Sequence, residues 1–220
     1  MKQPFQISDS ISLGIILALS GGLMDAYSYI GRGEVFANAQ TGNILLLGIH
    51  LSQGDLPTVL CYLCPVLAFT FGIILAAILR YYKWSLFLHW RQISVIIEAV
   101  ILAGVSFLPQ SHNLLANSLT SLACGIQVES FRKIYGNGIA TTMCIGNLRS
   151  GTEHIYTFFR TKENGSLRKG LLYYGIILCF VCGAILGNHF ILLFGERAIL
   201  GSCALLILSF IIMFIHQDEG

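Results

Sequence analysis

The sequence predicts an all-α integral membrane fold of about six net crossings, built as a 3+3 internal, inverted repeat with interrupted or re-entrant helices around Asn43 and Asn147. Three observations predict it. First, 55% of the 220 residues are hydrophobic and only 11% are charged, with a mean hydropathy of +0.74; a soluble domain carries about 25% charged residues. So little polar material cannot cover a water-facing surface, which excludes a soluble enzyme and a disordered protein. A net charge of +2, dispersed along the chain, excludes a nucleic-acid groove. Second, apolar stretches recur at spanning length. Third, a stretch that combines an acid with a Gly-Asn pair occurs twice.

Eight apolar segments run roughly from Ile11 to Ile30, Val35 to Leu51, Pro57 to Tyr81, Ile93 to Leu108, Leu114 to Ile134, Ile139 to Phe159, Gly170 to Phe194 and Ala198 to Ile215. The first, with Lys2 before it and Ser20, Gly21 and Gly22 after its apolar centre, has the outline of a signal peptide. A similar segment recurs in mid-chain, so it is read as a structural helix. The second and sixth are poor spanning helices: one holds Asn38, Gln40, Thr41, Gly42 and Asn43, the other Thr141, Thr142, Gly146, Asn147 and Arg149. Amides and unpaired backbone cannot face hydrocarbon, so these two must be enclosed by other helices or line a wet cavity. The third and seventh carry CxxC pairs, Cys61 with Cys64 and Cys179 with Cys182. A shared tetrathiolate site is conceivable from that spacing, but no His or acid flanks either pair, and apolar packing explains both.

Sliding the chain on itself by 104 residues lays Leu19–Asn43 without a gap on Ala123–Asn147. Gly21 then meets Gly125, Asp25 meets Glu129, Val35 meets Ile139, and Gly42-Asn43 meets Gly146-Asn147. Each copy is followed by two long apolar helices, which predicts duplication of a unit of about 100 residues, one repeat over about 9–110 and the second over about 111–216 of a single polytopic domain, 1–220. Loop charge gives the relative direction. Arg80, Lys83 and Arg91 make the loop after the third segment basic, while its counterpart near Glu196 and Arg197 is neutral. Arg160, Lys162, Arg168 and Lys169 make the loop after the sixth basic, while its counterpart at Ser52–Leu56 has no cation. Equivalent loops of opposite character are what inversion predicts. If both basic loops, near 80–91 and 160–169, are cytoplasmic, an even number of crossings separates them, so one of the three intervening segments does not fully cross. Interrupted elements in corresponding positions of two halves point to a transporter's binding site. Eight plain spans in a parallel arrangement are the bland alternative.

The acids Asp25 and Glu129 draw attention because an ionised carboxylate at mid-membrane costs roughly 2.5–3.5 kcal/mol and needs a partner, a proton or water. Glu129 has Arg132 and Lys133 within a turn and is also readable as one half of an ion pair; the nearest cation to Asp25 is Arg32. Glu98, alone in an apolar helix, reads equally as functional and as a helix-pairing or snorkelling residue. The Thr41-Gly42-Asn43 and Ile145-Gly146-Asn147 turns combine a flexible backbone with a side-chain amide that donates and accepts. Tight packing explains their glycines but not Asn38, Gln40, Thr141 and Thr142. Arg149, beside the second turn, is a candidate anion holder or an i,i+4 partner of Glu153, and His154 a candidate proton relay or an interfacial residue. The candidate substrate-binding set is therefore Asp25, Asn38, Gln40, Thr41, Gly42, Asn43, Gln127, Glu129, Thr141, Thr142, Gly146, Asn147 and Arg149. No HExxH, Walker loop or GxSxG occurs, so neither an enzyme nor a cofactor or metal is expected.

The run Gly22-Leu-Met-Asp25-Ala-Tyr-Ser, followed by Val35-Phe-Ala-Asn-Ala-Gln-Thr-Gly-Asn43, resembles the first motif of the YoaK family of bacterial inner-membrane proteins, a domain of unknown function. Gly125-Ile-Gln127 and Ala140-Thr-Thr-Met-Cys-Ile-Gly-Asn147-Leu-Arg-Ser resemble its second, with Ile145 where many members have Thr. The resemblance covers nearly the whole chain and implies a multi-pass protein of the bacterial inner membrane without an established substrate. The residues themselves point to a small secondary transporter or solute-conducting protein with a polar cavity between the repeats and a carboxylate as candidate proton-coupling group. A scaffold or regulatory subunit whose polar residues serve helix packing is the second reading. The expected partners are the lipid bilayer and a small solute or ion, with a homo-oligomer left open.

Overall fold

The computed structural model describes residues 10–81, 89–134 and 136–215; Lys2 and Lys83 of the sequence reading lie outside them. Eight α-helices are formed among the described residues: α1 (Ile11–Gly31), α2 (Gln40–Gln53), α3 (Leu56–Tyr81), α4 (Trp90–Val105), α5 (Asn113–Ser130), α6 (Cys144–Thr161), α7 (Asn164–Phe194) and α8 (Leu200–Ile215). Short 3-10 turns precede α5 and α8. Local chemistry sets several of the ends. Ser10 accepts the amide of Leu13 to cap α1, and His89 with Gln92 forms a capping box on α4. Asp55 accepts the amide of Thr58 at the start of α3, and the Thr58 side chain and amide hold its carboxyl below the usual carboxylate range. The turn from α2 to α3 passes through Gly54 in the left-handed region at φ 74°, where glycine carries no steric cost.

Among the described residues, three stretches are long and apolar enough to cross a membrane by length and composition: Ile11–Gly31, Leu56–Tyr81, and 164–214, which holds α7 and α8. The outer faces of α3, α7 and α8 expose Leu67, Phe71, Ile78, Leu178, Leu192 and Ile207, a surface suited to lipid and not to water. The buried core lies where α1, α4, α5 and α8 meet, around Leu17, Met24, Leu102, Ala123 and Leu206.

Contacts give the helix directions. Gly22 of α1 meets Phe180 and Ala184 of α7, Gly187 meets Leu23 and Ala26, and Gly31 faces Ile191; both numbers rise together, so α1 and α7 run parallel. Gly72 meets Leu122 and Ile126 and Arg80 reaches Glu129, so α3 and α5 are parallel too. Leu17 pairs with Gln127, Met24 with Cys124 and Arg32 with Asn117, so α1 and α5 are antiparallel. The tight turns after α2 and α6 make α2 antiparallel to α3 and α6 antiparallel to α7, as the stacking of His50 on Tyr62 and the packing of Gly170 on Ile155 require.

The same crossing occurs twice with the halves of the chain exchanged. Gly22 lies against the Phe180 carbonyl and Gly183 against that of Leu19; Gly125 lies against the Phe69 carbonyl and Gly72 against that of Leu122. Matched by contact, Gly22 corresponds to Gly125 and Leu19 to Leu122, an offset of 103. The gapless register of 104 read from sequence is therefore one residue out within these helices, and a residue turns a helix by about 100°. Glu129 does not occupy the place of Asp25.

Arg32, 1% exposed, ties the loops at one end of the bundle. It donates to the Tyr27 hydroxyl at 2.8 Å, the Leu108 carbonyl at 2.7 Å and Asn113 Oδ1 at 3.1 Å, and Asn117 donates to its carbonyl at 2.9 Å. Arg32 is thus a loop lock, and no ion pair joins it to Asp25.

A side chain at Gly22 or Gly125 meets main-chain atoms that cannot move aside. Gly22→Val and Gly125→Val are each expected to cost about 1–3 kcal/mol or to prevent folding, read as a lower melting temperature of the purified protein in detergent. Gly175→Ala, with open space around it, is expected to leave that temperature unchanged.

Candidate functional site

After α1 the chain turns back on itself. Ser28 Oγ donates to the Val35 carbonyl at 2.7 Å, the Asn38 amide donates to Asp25 Oδ1 at 2.7 Å, and Asn38 Nδ2 donates to the Gly21 carbonyl at 3.0 Å. By Asn38 the chain has therefore returned to the midpoint of α1, and α2 starts there. Because α2 is antiparallel to α3, and α3 to α1, α2 climbs back toward the end from which the chain descended. Its 14 residues rise about 21 Å, short of the roughly 30 Å hydrocarbon thickness. The second half also turns back before its helix, although α6 is longer, its 18 residues rising about 27 Å. Gln127 Nε2 of α5 donates to the Leu17 carbonyl at 3.0 Å and to Thr141 Oγ1 at 3.3 Å, which places the chain before α6 at the same mid-depth.

One residue pins each returning segment. Asn43 accepts the Phe36 amide at 3.0 Å and donates to the Phe36 carbonyl at 2.7 Å. Asn147 accepts the Ala140 amide at 3.3 Å and donates to the Ala140 carbonyl at 2.6 Å. Both reach back seven residues, and both side chains use both ends of the amide on the backbone.

The N-termini of α2 and α6 open on one cavity of about 360 Å³. Asp25, Asn38, Gln40 and Thr41 line it from the first half and Thr142, Met143, Cys144 and Ile145 from the second, with Phe69 of α3 and Phe180 of α7 as apolar walls. The Asp25 carboxylate sits over consecutive amides, Asn38 directly with Ala37 and Ala39 beside it, and closes the positive end of α2. Neither α2 nor α6 has a side-chain cap. Among the described residues, Asn38 Oδ1 and Thr142 Oγ1 are buried without a hydrogen-bond partner.

Five of the thirteen sequence candidates, Asp25, Asn38, Gln40, Thr41 and Thr142, thus share the cavity. Asn43 and Asn147 do not line it; they hold the backbone that does. Gly42 packs on Phe36, and Thr141 is buried behind the cavity as the partner of Gln127. Glu129 faces away, paired with Arg80 at 3.3 Å and Arg132 at 3.7 Å. Gly146 and Arg149 line a separate shallow depression on α6 with Glu153 and Tyr156, and His154 stacks on Tyr173.

Phe69 and Phe180 carried no signal in the sequence, since phenylalanine in a spanning helix is ordinary. Glu98 is fully buried, and neither carboxyl oxygen has a partner among the described residues, so it neither snorkels nor forms an ion pair. Cys124 lies within electrostatic reach of both Glu98 and Asp25. Among the described residues no three His, Cys, Asp or Glu side chains converge.

Truncating Asn43 or Asn147 leaves an N–H and a C=O unsatisfied away from water. Asn43→Ala is expected to cost about 2–4 kcal/mol and to speed hydrogen exchange at Phe36–Asn38; Asn147→Ala is expected to do the same at Ala140–Thr142. Exchange mass spectrometry in detergent reads both.

Two returning segments pinned by asparagine, two helices whose N-termini share one cavity, and an apolar outer surface define a helical membrane protein. The chain belongs to the family described as "Protein of unknown function (DUF1275)", whose profile matches residues 13–212. It is 31% identical over 180 residues to the UPF0700 transmembrane protein YoaK of Bacillus subtilis (strain 168), covering 78% of this chain and 79% of that protein. No solved structure matches it.

Proposed function

We propose that this protein is a small secondary transporter or solute-conducting protein with six crossings in an inverted 3+3 repeat, α2 and α6 being re-entrant half-helices. The observation that carries this reading is the meeting of their N-termini, one from each half, on a single cavity at mid-depth beside Asp25. A scaffold has no use for such a cavity, and half-helix ends are the usual means by which membrane proteins present backbone groups to a solute. The antiparallel relation of α1 and α5 and the exchanged glycine crossings support inversion. By the helix directions, Arg80 and Arg91 lie at the same end of the bundle as Arg160, Lys162, Arg168 and Lys169, which makes that end cytoplasmic under the positive-inside rule. The membrane is then the bacterial inner membrane. Asp25, the carboxylate on the cavity, is the group through which a proton is coupled. No catalytic role is assigned.

The test is entry into proteoliposomes, followed by stopped-flow light scattering and an internal pH dye, over a panel of small anions, cations and neutral solutes. At least one solute is expected to enter faster than into protein-free vesicles. Ala39→Trp, which fills the cavity, is expected to slow that entry by about tenfold, equivalent to about 1.4 kcal/mol of barrier, and Asp25→Asn to remove any proton movement linked to it. Entry equal to protein-free vesicles for every solute would return the polar residues to helix packing alone.

A further inference from the structure

The two half-helices differ in the faces they turn outward. With the asparagines matched at an offset of 104, the exposed residues of α2 and α6 fall on equivalent positions: Ile44 on Leu148, Leu45 on Arg149, Gly48 on Thr152 and Ile49 on Glu153. The α2 face is apolar and suits lipid. The α6 face puts two charges in the same place, and among the described residues neither Arg149 nor Glu153 forms an ion pair. Their depth follows from α7. Gly151 lies against Tyr173 and Tyr174, and the Thr152 and Tyr174 hydroxyls are 2.8 Å apart. Phe180, the cavity wall at mid-depth, stands further along α7 by only about 9 Å. The hydrocarbon extends about 15 Å from its midplane, so both charges stand within it. Ionised side chains at such depth are costly against lipid and face protein or a water-filled space. The depression that Arg149, Thr152 and Glu153 line meets the cavity at Ile145, which lines both. From there α6 runs to Arg160 and Lys162 at the basic end of the bundle.

Resting on the re-entrant arrangement and orientation proposed above, we infer that the outward face of α6 lines a water-filled passage by which a hydrophilic solute reaches the cavity from the cytoplasmic end. Ile145 stands at its inner mouth. Water in the passage hydrates Arg149 and Glu153 at a depth where lipid cannot. No equivalent passage runs along α2, because Ile44, Leu45 and Ile49 are exposed there and take lipid. The half-helix that leads to the cytoplasmic end is wet and the one that leads to the opposite end is dry, so the structure is the inward-facing one of the two states that alternating access requires. Cys144, half-buried beside Ile145 and lining the cavity, is the thiol that a reagent meets on passing the inner mouth.

The experiment uses the full-length protein in inside-out and right-side-out membrane vesicles. Both are treated with the membrane-impermeant thiol reagent methanethiosulfonate ethylsulfonate, and the modified cysteines are located by peptide mass spectrometry. Gly165→Cys, exposed at the start of α7, reports which side that end faces. Thr152→Cys and the native Cys144 are expected to be modified from the same side as Gly165→Cys, the cytoplasmic one. Gly48→Cys, with open space around it, is expected to react about tenfold more slowly than Thr152→Cys from either side, because the reactive thiolate does not form against lipid. Adding Ile145→Trp is expected to slow Cys144 by about tenfold, as a bulky ring in the mouth raises the barrier to entry, and to leave Thr152→Cys unchanged. Thr152→Cys as slow as Gly48→Cys overturns the passage by putting α6 against lipid or a second copy. Gly48→Cys as fast as Thr152→Cys overturns its one-sidedness. Cys144 untouched while Thr152→Cys reacts, or modified from the side opposite Gly165→Cys, overturns its connection to the cavity. Gly165→Cys reached only in right-side-out vesicles overturns the cytoplasmic placement. If labelling is as expected and no solute enters proteoliposomes, the passage stands and the transport reading falls. If a solute enters and Thr152→Cys is unreactive, transport stands and the passage falls.

Discussion

Hydrocarbon offers no hydrogen bonds, so any main chain that leaves the helix inside a membrane must be satisfied by the protein itself. That constraint is met in part, twice, by the same residue at the same reach. Asn43 and Asn147 each close an amide and a carbonyl seven residues upstream, and a carboxamide is the smallest side chain that donates and accepts in one plane. Everything at the centre depends on those two brackets. They fix the extended segments, the segments fix where α2 and α6 begin, and those beginnings are the two poles of the cavity.

The long helices supply the frame, and their approach is set by what they lack. Gly22 against Phe180, and Gly125 against Phe69, bring main chain to main chain, the close packing that drives association where no hydrophobic effect operates between helices. The same contacts bring the stretches of α7 and α3 that carry Phe180 and Phe69 to mid-depth, where both residues become cavity walls. Packing and site are therefore one arrangement. A change that spreads either helix pair also moves the aromatic walls away from the half-helix ends, with no change to any polar group.

Much of this was legible in the sequence, and the failures have physical causes. The two polar segments stand out because amides and glycines have no business on a lipid-facing helix, a rule that picks out Asn38, Gln40, Thr41 and Thr142, while Asp25 stands out as a carboxylate inside a spanning helix. Composition does not say whether an amide faces a solute or the backbone, so Asn43 and Asn147 were assigned to the cavity wall and belong to its support. Pairing Asp25 with Glu129 failed by a single residue. A gapless alignment holds one register throughout, whereas the helices match at an offset of 103 and the asparagines at 104, the extra residue falling in the segment between. Arg32 is the nearest cation to Asp25 in sequence, but it lies beyond the end of α1 and is held by four groups.

That extra residue has a consequence for charge. Had α5 kept the register of 104, Glu129 would stand where Asp25 stands, and two carboxylates would close the two helix ends symmetrically. Shifted by one, Glu129 rotates by about 100° to the rim, where Arg80 and Arg132 take it. Two crossings alike in their glycine contacts thus differ in charge: a carboxylate lies at the start of α2, and among the described residues none lies at the start of α6.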